Sequence, residues 1–236
     1  QKKWLAENPN QEISYDYIIS GELFLNRPDS ALLYINRSIK QFPDNVDFAT
    51  NKAMYYYSIG KKREALKEWK KILKIAKDDS TRCNIYGSLG DLAGEIEDLK
   101  NRDKIAYGYY EKALAIDSMN ISVLNNYSYK LSSDSTQIDK ALMLARRMMQ
   151  QDVSNPTFLD TYAWILFKAG LTDEALKIMR QAISLDTTNN EVLLLHYGDI
   201  LFESGQKYLA RIYWRKALEA GADGKEIEIR IKKLEQ

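Results

Sequence analysis

Residues 159–185 read LDTYAWILFKAGLTDEALKIMRQAISL, and this stretch decides the fold. It contains two segments in which apolar residues recur at the spacing of one helix face. These residues are Tyr162, Ala163, Leu166 and Phe167 in the first segment, and Ala175, Ile178, Met179, Ala182 and Ile183 in the second. Between the segments, Gly170 suits the left-handed conformation that ends a helix, and Thr172 suits a cap for the next helix. The stretch therefore predicts a helical hairpin, which must stack on a similar neighbour to shield its apolar faces.

The same pattern recurs along the chain with a nearly constant period. An alanine opens the second helix of each predicted hairpin, at Ala31, Ala65, Ala106, Ala141, Ala175 and Ala210. The successive spacings are 34, 41, 35, 34 and 35 residues, which is typical of a helix-turn-helix solenoid. Apolar residues follow four and eight positions after each of these alanines, on the same helix face. We predict six repeats, at residues 12–45, 46–79, 80–120, 121–154, 155–189 and 190–223.

Small residues and turn glycines complete the repeat pattern. Small residues recur in the first helices at Ala53, Gly90, Ala163 and Gly198, and turn glycines at Gly60, Gly170 and Gly205. Two repeats show the whole set, with Ala163, Gly170, Ala175 and Ala182 in one and Gly198, Gly205, Ala210 and Ala217 in the next. Over nearly its whole length the chain resembles a tetratricopeptide repeat array. The resemblance implies an all-α, right-handed α-solenoid that binds polypeptides on a concave surface formed by the first helices.

The closing proline of that family is mostly missing here. It appears once, as Pro43, whereas Ser118 and Thr187 take the equivalent positions in other repeats. We therefore expect helix caps to close several of the turns between hairpins. Asn155 followed by Pro156 fits such a cap with proline at the first helical position.

Three regions depart from the regular repeat. Residues 1–11 resemble the end of a preceding repeat or an N-terminal cap. The third repeat has a spacing of 41 residues instead of 34, and the extra residues around 94–103 are expected to lengthen both of its helices by about one turn. Residues 224–236 carry Ile227, Ile231 and Leu234 at helical spacing, so we predict a C-terminal capping helix with a polar outer face.

Composition argues against several classes of function. The chain has 34 basic and 33 acidic residues, and its net charge of +1 does not indicate a nucleic-acid or anionic-membrane partner. The single cysteine, Cys83, excludes an internal disulfide, and no Cys/His spacing predicts zinc, so no metal or other cofactor is expected. No apolar run approaches the roughly 20 residues that span a membrane.

The only histidine, His196, is the one residue that invites a catalytic interpretation. Asp160 occupies a comparable level one repeat earlier, so a hydrogen bond between adjacent helices would explain both residues structurally. The alternative is a metal or acid–base site, but zinc would require further ligands. Cys83 lies some three repeats away, and no Ser/His/Asp or Cys/His arrangement is evident. We therefore expect no enzymatic activity.

Aromatic and amide side chains fall on or near the predicted concave surface when the first helices are placed in register. The candidates are Tyr17, Asn51, Met54, Asn125, Asn126, Tyr129, Asp160, Trp164, Phe167, His196, Asp199 and Phe202. Rings supply apolar contact, and asparagine amides can hydrogen-bond an extended backbone as donor and acceptor. Packing between repeats explains Trp164 and Phe167 equally well. For Asn125, Asn126 and Tyr129, peptide contact is favoured because a core has little use for adjacent amides.

One specificity of the family does not match. Its chaperone-tail binders use lysine, arginine and asparagine on the groove helices to hold a C-terminal carboxylate. Here only Asn51 fits that pattern, with Thr50, Gly87 and Ser88 at neighbouring positions. No such clamp is expected.

The leading hypothesis is a non-enzymatic scaffold or adaptor that binds a protein or peptide segment in the concave groove. One alternative is a regulatory domain that senses a small ligand near Asp160, Trp164 and His196. Another is the repeat portion of a larger enzyme whose catalytic domain lies outside these residues. The resemblance to bacterial repeat proteins favours the periplasmic side of the cell envelope, with an upstream lipid anchor as one option, over the cytoplasm.

Overall fold

The computed structural model describes residues 8, 11–151, 154–232 and 234. Within these residues the protein has thirteen α-helices, one short 3₁₀ helix and no strand, which confirms the predicted all-α class. The chain divides into two compact units, Gln1–Ser118 and Met119–Gln236. Most of the predicted N-terminal segment 1–11 lies outside the described residues.

The first unit contains three helical hairpins. Its helices are α1 (Glu12–Phe24), α2 (Pro28–Gln41), α3 (Val46–Ser58), α4 (Lys62–Ile75), α5 (Asp79–Glu95) and α6 (Arg102–Ile116). Each helix packs against the next one along the chain. The buried cluster under α1–α3 includes Ile18, Ile35 and Phe48, and the Phe48 ring meets the Tyr15 ring edge-on with centroids 6.1 Å apart. Apolar stripes from successive hairpins thus shield one another.

The hairpin α5–α6 accommodates the extra residues of the third repeat. Helix α5 has 17 residues, against 13 in α1 and α3, so it is longer by about one turn. Helix α6 has 15 residues, against 14 in α2 and α4, and the loop 96–101 takes most of the remainder. The expectation that both helices lengthen by a turn is therefore wrong for α6. A loop tolerates added residues at little cost in free energy, so nothing forces the second helix to extend.

The second unit contains three hairpins and a final helix. Its helices are α7 (Ile121–Leu131), α8 (Ile138–Met148), α9 (Pro156–Lys168), α10 (Thr172–Leu185), α11 (Glu191–Glu203), α12 (Lys207–Glu219) and α13 (Gly224–Lys232), with the 3₁₀ helix Ser135–Gln137 before α8. Each helix again packs against the next one. The core includes Leu166, Met179, Ile200 and Trp214, while Phe167 is only half-buried against it.

Four hairpin turns share one backbone geometry. A residue with positive φ follows the first helix, at Asn26 (φ 52°), Gly60 (75°), Gly170 (79°) and Gly205 (82°). In the α9–α10 turn, the amide of Leu171 donates to Leu166 O at 2.9 Å, and that of Gly170 donates to Phe167 O at 3.0 Å. This pair of bonds satisfies the last carbonyls of the first helix. The predicted cap by Thr172 is wrong, because α10 already begins at that residue and no side chain caps it.

Asparagine or aspartate side chains cap the first helices that follow a turn between hairpins. The capping residues are Asn45, Asp78, Asn120, Asn155 and Asn190. In each case a side-chain oxygen accepts a hydrogen bond from a backbone amide of the first helical turn, at 2.7–3.1 Å. Caps thus replace the missing prolines, as expected from the sequence.

Replacement of Asn190 by alanine tests the contribution of these caps. The Asn190 side chain accepts from the amides of Val192 and Leu193, so Asn190→Ala should lower the free energy of unfolding by about 1 kcal/mol. Urea denaturation followed by circular dichroism measures the loss. Thr187→Ala, in the same turn, is the control and should change stability by less than about 0.5 kcal/mol. Equal losses in the two variants would contradict the capping role.

The final helix α13 covers the end of the second unit, as predicted for the C-terminal capping helix. Within this helix the Ile227 side chain is buried against the unit, while Glu228 and Lys232 are exposed. Arg230 reaches back to Asp199 on α11, with N–O distances of 2.8 Å and 3.0 Å. Residues 233, 235 and 236 lie outside the described residues.

Candidate functional site

Three first helices of the second unit lie side by side, because α9 packs against both α7 and α11. Each of these helices carries a buried small residue, and the residue that follows it in the chain is larger. The small residues are Ser128, Ala163 and Gly198, and the residues that follow are Tyr129, Trp164 and Asp199. Their spacing of 35 residues makes the positions equivalent. Ser128 was not among the small residues predicted from the sequence, because that pattern was based on alanine and glycine. The Ser128 hydroxyl donates to Asn125 O at 3.0 Å.

Asp160 and His196 form a hydrogen-bonded pair between α9 and α11. His196 Nδ1 lies 2.9 Å from Asp160 Oδ1 and 3.1 Å from Asp160 Oδ2. Both side chains are buried. The hydrogen bond expected between adjacent helices is therefore present, and it holds the imidazole in a fixed orientation.

Trp164 lies against the imidazole that this pair orients. The Trp164 and His196 rings are stacked, with centroids 3.9 Å apart and planes inclined by 17°. Phe167, one turn further along α9, lies 5.4 Å from the Trp164 ring. The Lys168 ammonium sits 4.8 Å from the centroid of the Trp164 ring, within the range of a cation–π contact. Lys168 was not among the sequence candidates, although its spacing of four residues from Trp164 was a usable signal.

Tyr129 extends the same surface on α7. It remains 40% exposed, and its ring centroid lies 6.2 Å from that of His196. Burial of part of the side chain, and next the negative charge of Asp160, raise the pKa of the Tyr129 phenol. We call Tyr129, Trp164 and Phe167 the aromatic face.

Asn125 and Asn126 lie on α7, within one turn of Tyr129. Asn125 Nδ2 donates to Asn126 Oδ1 at 3.0 Å. The Asn125 Oδ1 atom is buried and has no hydrogen-bond partner among the described residues. A buried carbonyl oxygen without a donor costs free energy, so this amide pair adds little to the stability of the unit.

Asp199 has a structural environment that differs from that of its equivalents Tyr129 and Trp164. Its Oδ1 accepts from Trp214 Nε1 at 2.9 Å and from Arg230 Nε at 2.8 Å, and its Oδ2 accepts from Arg230 at 3.0 Å. The carboxylate thus joins α11 to α12 and α13. Its hydrogen-bonding capacity is largely used within the protein.

Phe202 lies one turn beyond Asp199 and packs on the Trp214 ring, with centroids 5.6 Å apart. It is half-buried, and the Lys207 ammonium lies 5.7 Å from its centroid. Phe202 therefore contributes to packing between α11 and α12 and presents only part of its ring to solvent.

The remaining sequence candidates belong to the first unit. Tyr17 on α1 and Met54 on α3 are about half exposed, and Asn51 on α3 is half-buried. Asn51 and Met54 are neighbours one turn apart on the same helix.

The described residues offer no evident site for metal chemistry. They contain no group of three or more His, Cys, Asp or Glu side chains that could hold a metal ion. Cys83 is buried in the first unit, where its Sγ lies 3.4 Å from Ala113 O. None of the described helices has both the length and the apolar character needed to cross a membrane.

Comparison with known proteins supports the repeat architecture. A family model described as tetratricopeptide repeat matches residues 157–189, which is the hairpin α9–α10. No curated protein gave a significant match to the sequence.

Several solved structures are similar over most of the chain. A tetratricopeptide repeat protein from Parabacteroides merdae has a TM-score of 0.72 and 14% identity, covering 100% of this chain and 90% of that one. PilW, described as a type IV pilus biogenesis factor, has a TM-score of 0.71 and 18% identity, covering 89% and 94%. YrrB, described as a TPR protein with an unusual peptide-binding site, has a TM-score of 0.56 and 20% identity, covering 84% and 97%. These likenesses concern the fold.

Proposed function

Because this chain carries a tetratricopeptide repeat and has the fold of tetratricopeptide repeat proteins, we propose that it is a non-enzymatic scaffold that binds a polypeptide segment of a partner protein. The segment binds on the aromatic face of the second unit. The observation that carries the proposal is the partly exposed pair of rings, Tyr129 and Trp164, placed at equivalent positions on α7 and α9.

The aromatic face is organised before any ligand arrives. Asp160 fixes His196, and the imidazole supports one side of the Trp164 ring. Phe167 contacts the same ring from the next turn of α9. Little side-chain freedom is therefore lost when an apolar side chain of the ligand packs against these rings, and more of the contact energy appears as affinity.

An extended peptide suits the polar groups beside the rings. The half-buried side chains of Asn125 and Asn126 lie on α7 beside the rings, and an asparagine amide can hydrogen-bond an extended backbone as both donor and acceptor. The Tyr129 side chain is 40% exposed, and its hydroxyl can donate to a ligand carbonyl. Polypeptides carry both groups on every residue except proline, so they can use the two sites together.

The positions of Asp160 and His196 give less support to the alternative function, in which the domain senses a small ligand. It would rely on the polar groups of Asp160 and His196, but these are buried and bonded to each other. A metal ion would also need further ligands, and the described residues form no such cluster.

Selection from a displayed random peptide library on the purified chain tests the proposal. Enriched peptides should bind in solution, measured by fluorescence polarisation, and Tyr129→Ala should weaken them by roughly tenfold or more because a ring at the centre of the contact is lost. Asn125→Ala with Asn126→Ala should also weaken binding, while the melting temperature stays within a few degrees, since the two half-buried amides bond to each other and the Asn125 oxygen is unsatisfied.

Tyr208→Ala is the matched control. Tyr208 lies on α12 in the same unit and is 78% exposed, outside the aromatic face. Its loss should leave the affinity unchanged. A library that enriches no binder, or peptides that lose equal affinity in Tyr208→Ala and Tyr129→Ala, would argue against the proposed surface.

The compartment remains a prediction. We propose the periplasmic side of a bacterial cell envelope, and the description of PilW as a pilus biogenesis factor is consistent with that placement for a protein of this fold. Cell fractionation with an antibody against the chain tests it. Recovery in the cytoplasmic fraction alone would contradict the prediction.

A further inference from the structure

The second helix α8 has an unusual outer face. One helical stripe of this helix borders an open depression of about 510 Å³, lined by Asp139, Leu142, Met143, Arg146, Arg147 and Gln150. We call these six residues the α8 face. Five of them recur along α8 at intervals of three or four residues, which places them on one side of the helix, and Gln150 lies in the turn that follows. The opposite stripe, which includes Leu144 and Met148, is buried in the unit.

The two arginines of the α8 face carry charges that no described acidic residue neutralises. Neither Arg146 nor Arg147 forms an ion pair with any described residue. The Nε atom of Arg147 is buried and has no hydrogen-bond partner in the described part of the chain. Arg147 is half-buried and lines the depression, so an anionic ligand there can pair with the rest of its guanidinium group, whose charge no described residue neutralises.

An exposed apolar side chain lies next to the arginines. Met143 is 58% exposed, one turn before Arg147, and Leu142 is half-buried beside it. The thioether of methionine is flexible and adapts to apolar partners. The α8 face therefore combines a contact site for an apolar side chain with two guanidinium groups.

The equivalent helix of the next repeat lacks this combination. Counted from the alanines Ala141 and Ala175, Arg146 corresponds to Arg180, but Lys177 replaces Met143 and Gln181 replaces Arg147. The favourable position of cations at a helix C-terminus explains why arginines occur in the last turn of α8. It does not explain the exposed Met143 or the unpaired Arg147 Nε.

From these observations we infer that the α8 face is a second binding surface, which takes an acidic segment of a partner protein. An apolar side chain of that segment packs on Met143 and Leu142, and a neighbouring carboxylate pairs with Arg146 and Arg147. Guanidinium groups bind carboxylates with paired hydrogen bonds, so the arginines favour Asp or Glu over a neutral residue.

Asp139 determines which way the acidic segment lies along α8. It lies seven residues before Arg146, or about 10 Å along the helix axis. A carboxylate near Asp139 would be repelled, so the acidic end of the segment lies over the arginines. The inference does not depend on the aromatic face, which is formed by α7 and α9.

A designed probe tests this surface in the full chain. The probe is a fluorescein-labelled amphipathic peptide of about twelve residues, with leucines at helical spacing and glutamates between them, measured by fluorescence polarisation at low salt. The wild-type protein should bind it saturably. Arg146→Ala with Arg147→Ala should weaken binding by about tenfold or more, since a desolvated charge pair is lost.

Matched variants in α10 control for net charge. Arg180→Ala removes a cation at the position equivalent to Arg146 and should change the affinity by less than about twofold, because it lies outside the depression. Met143→Glu affects an exposed residue, so folding should persist while binding of the acidic peptide is lost. Lys177→Glu introduces a glutamate at the equivalent position of α10 and should retain binding of the acidic peptide. Tyr129→Ala, in the aromatic face, should also leave binding of this probe unchanged.

Several results would overturn the inference. They include no saturable binding by the wild-type protein, equal binding of the same peptide with glutamine in place of glutamate, and equal losses in the α8 and α10 variants. Retention of the chain on phosphatidylserine-containing vesicles without binding of the peptide would also overturn it, and would point to a membrane surface instead.

Discussion

Gly198→Ala is expected to lower the free energy of unfolding by about 3 kcal/mol. A Cβ atom at this position would lie only 2.5 Å from Trp214 Nε1 and would also overlap other atoms of the indole. The tryptophan is 1% exposed and cannot move into solvent without uncovering the core. Any shift of its ring also disturbs the hydrogen bond from Nε1 to Asp199. Calorimetry should show a fall in melting temperature on the order of 10 °C.

Gly108→Ala is the control for this substitution. Gly108 lies inside α6, and a Cβ atom there would meet nothing within 4 Å. Alanine at that position should stabilise the protein by roughly 0.5–1 kcal/mol, because the unfolded chain loses conformational freedom. A second test joins Gly198→Ala with Trp214→Leu, which should cost less than the sum of the two changes. Additive losses would mean that the two residues do not compete for the same space.

Phe48→Ala is expected to destabilise the first unit by about 3–5 kcal/mol. Phe48 is 0% exposed, and its ring packs against the rings of Tyr15 and Phe42 at centroid distances of 6.1 Å and 5.9 Å. Truncation leaves a cavity between α1, α2 and α3 that these stiff neighbours cannot fill. Hydrogen exchange followed by mass spectrometry should show a loss of protection concentrated in these helices.

Phe48→Leu separates loss of volume from loss of the ring. Leucine retains most of the apolar contact, so the expected cost is about 1 kcal/mol. Because repeat units depend mainly on contacts with their neighbours, exchange in α10–α13 should change little in either variant. Uniform loss of protection along the whole chain after Phe48→Ala would contradict this local picture.

Two proposed surfaces on one unit would suit a scaffold. The aromatic face lies on the first helices α7 and α9, whereas the α8 face lies on a second helix. One would hold an extended segment through rings and amides, and the other an acidic segment through arginines. A protein with both could hold two partners at once, and the variants described above test each surface independently.

The helical hairpins were predictable because their signals are local. The alternation of apolar residues with a period near 3.6, the turn glycines and the recurring alanine each depend on a few neighbouring residues. Gly170 takes positive φ because side chains are disfavoured there. Asn26 takes the same conformation in the first hairpin, and its spacing of 34 residues from Gly60 is a signal that the pattern of glycines alone does not contain.

Part of the candidate site also followed from the sequence. A repeat of 35 residues brings Asp160 and His196 to neighbouring levels on adjacent helices, which is why their hydrogen bond could be expected. The Asp199 environment could not be anticipated in this way. Its partner Arg230 lies on α13, outside the repeats, so no period connects the two residues.

By itself the sequence determined the all-α class, the hairpins and their turns, since these depend on periodicity and on backbone preferences of single residues. Only the tertiary structure decided which side chains remain accessible. Burial depends on the neighbours that packing brings together, so Tyr129 stays exposed, the equivalent Asp199 is bound by Trp214 and Arg230, and Arg147 keeps a buried donor without an acceptor among the described residues.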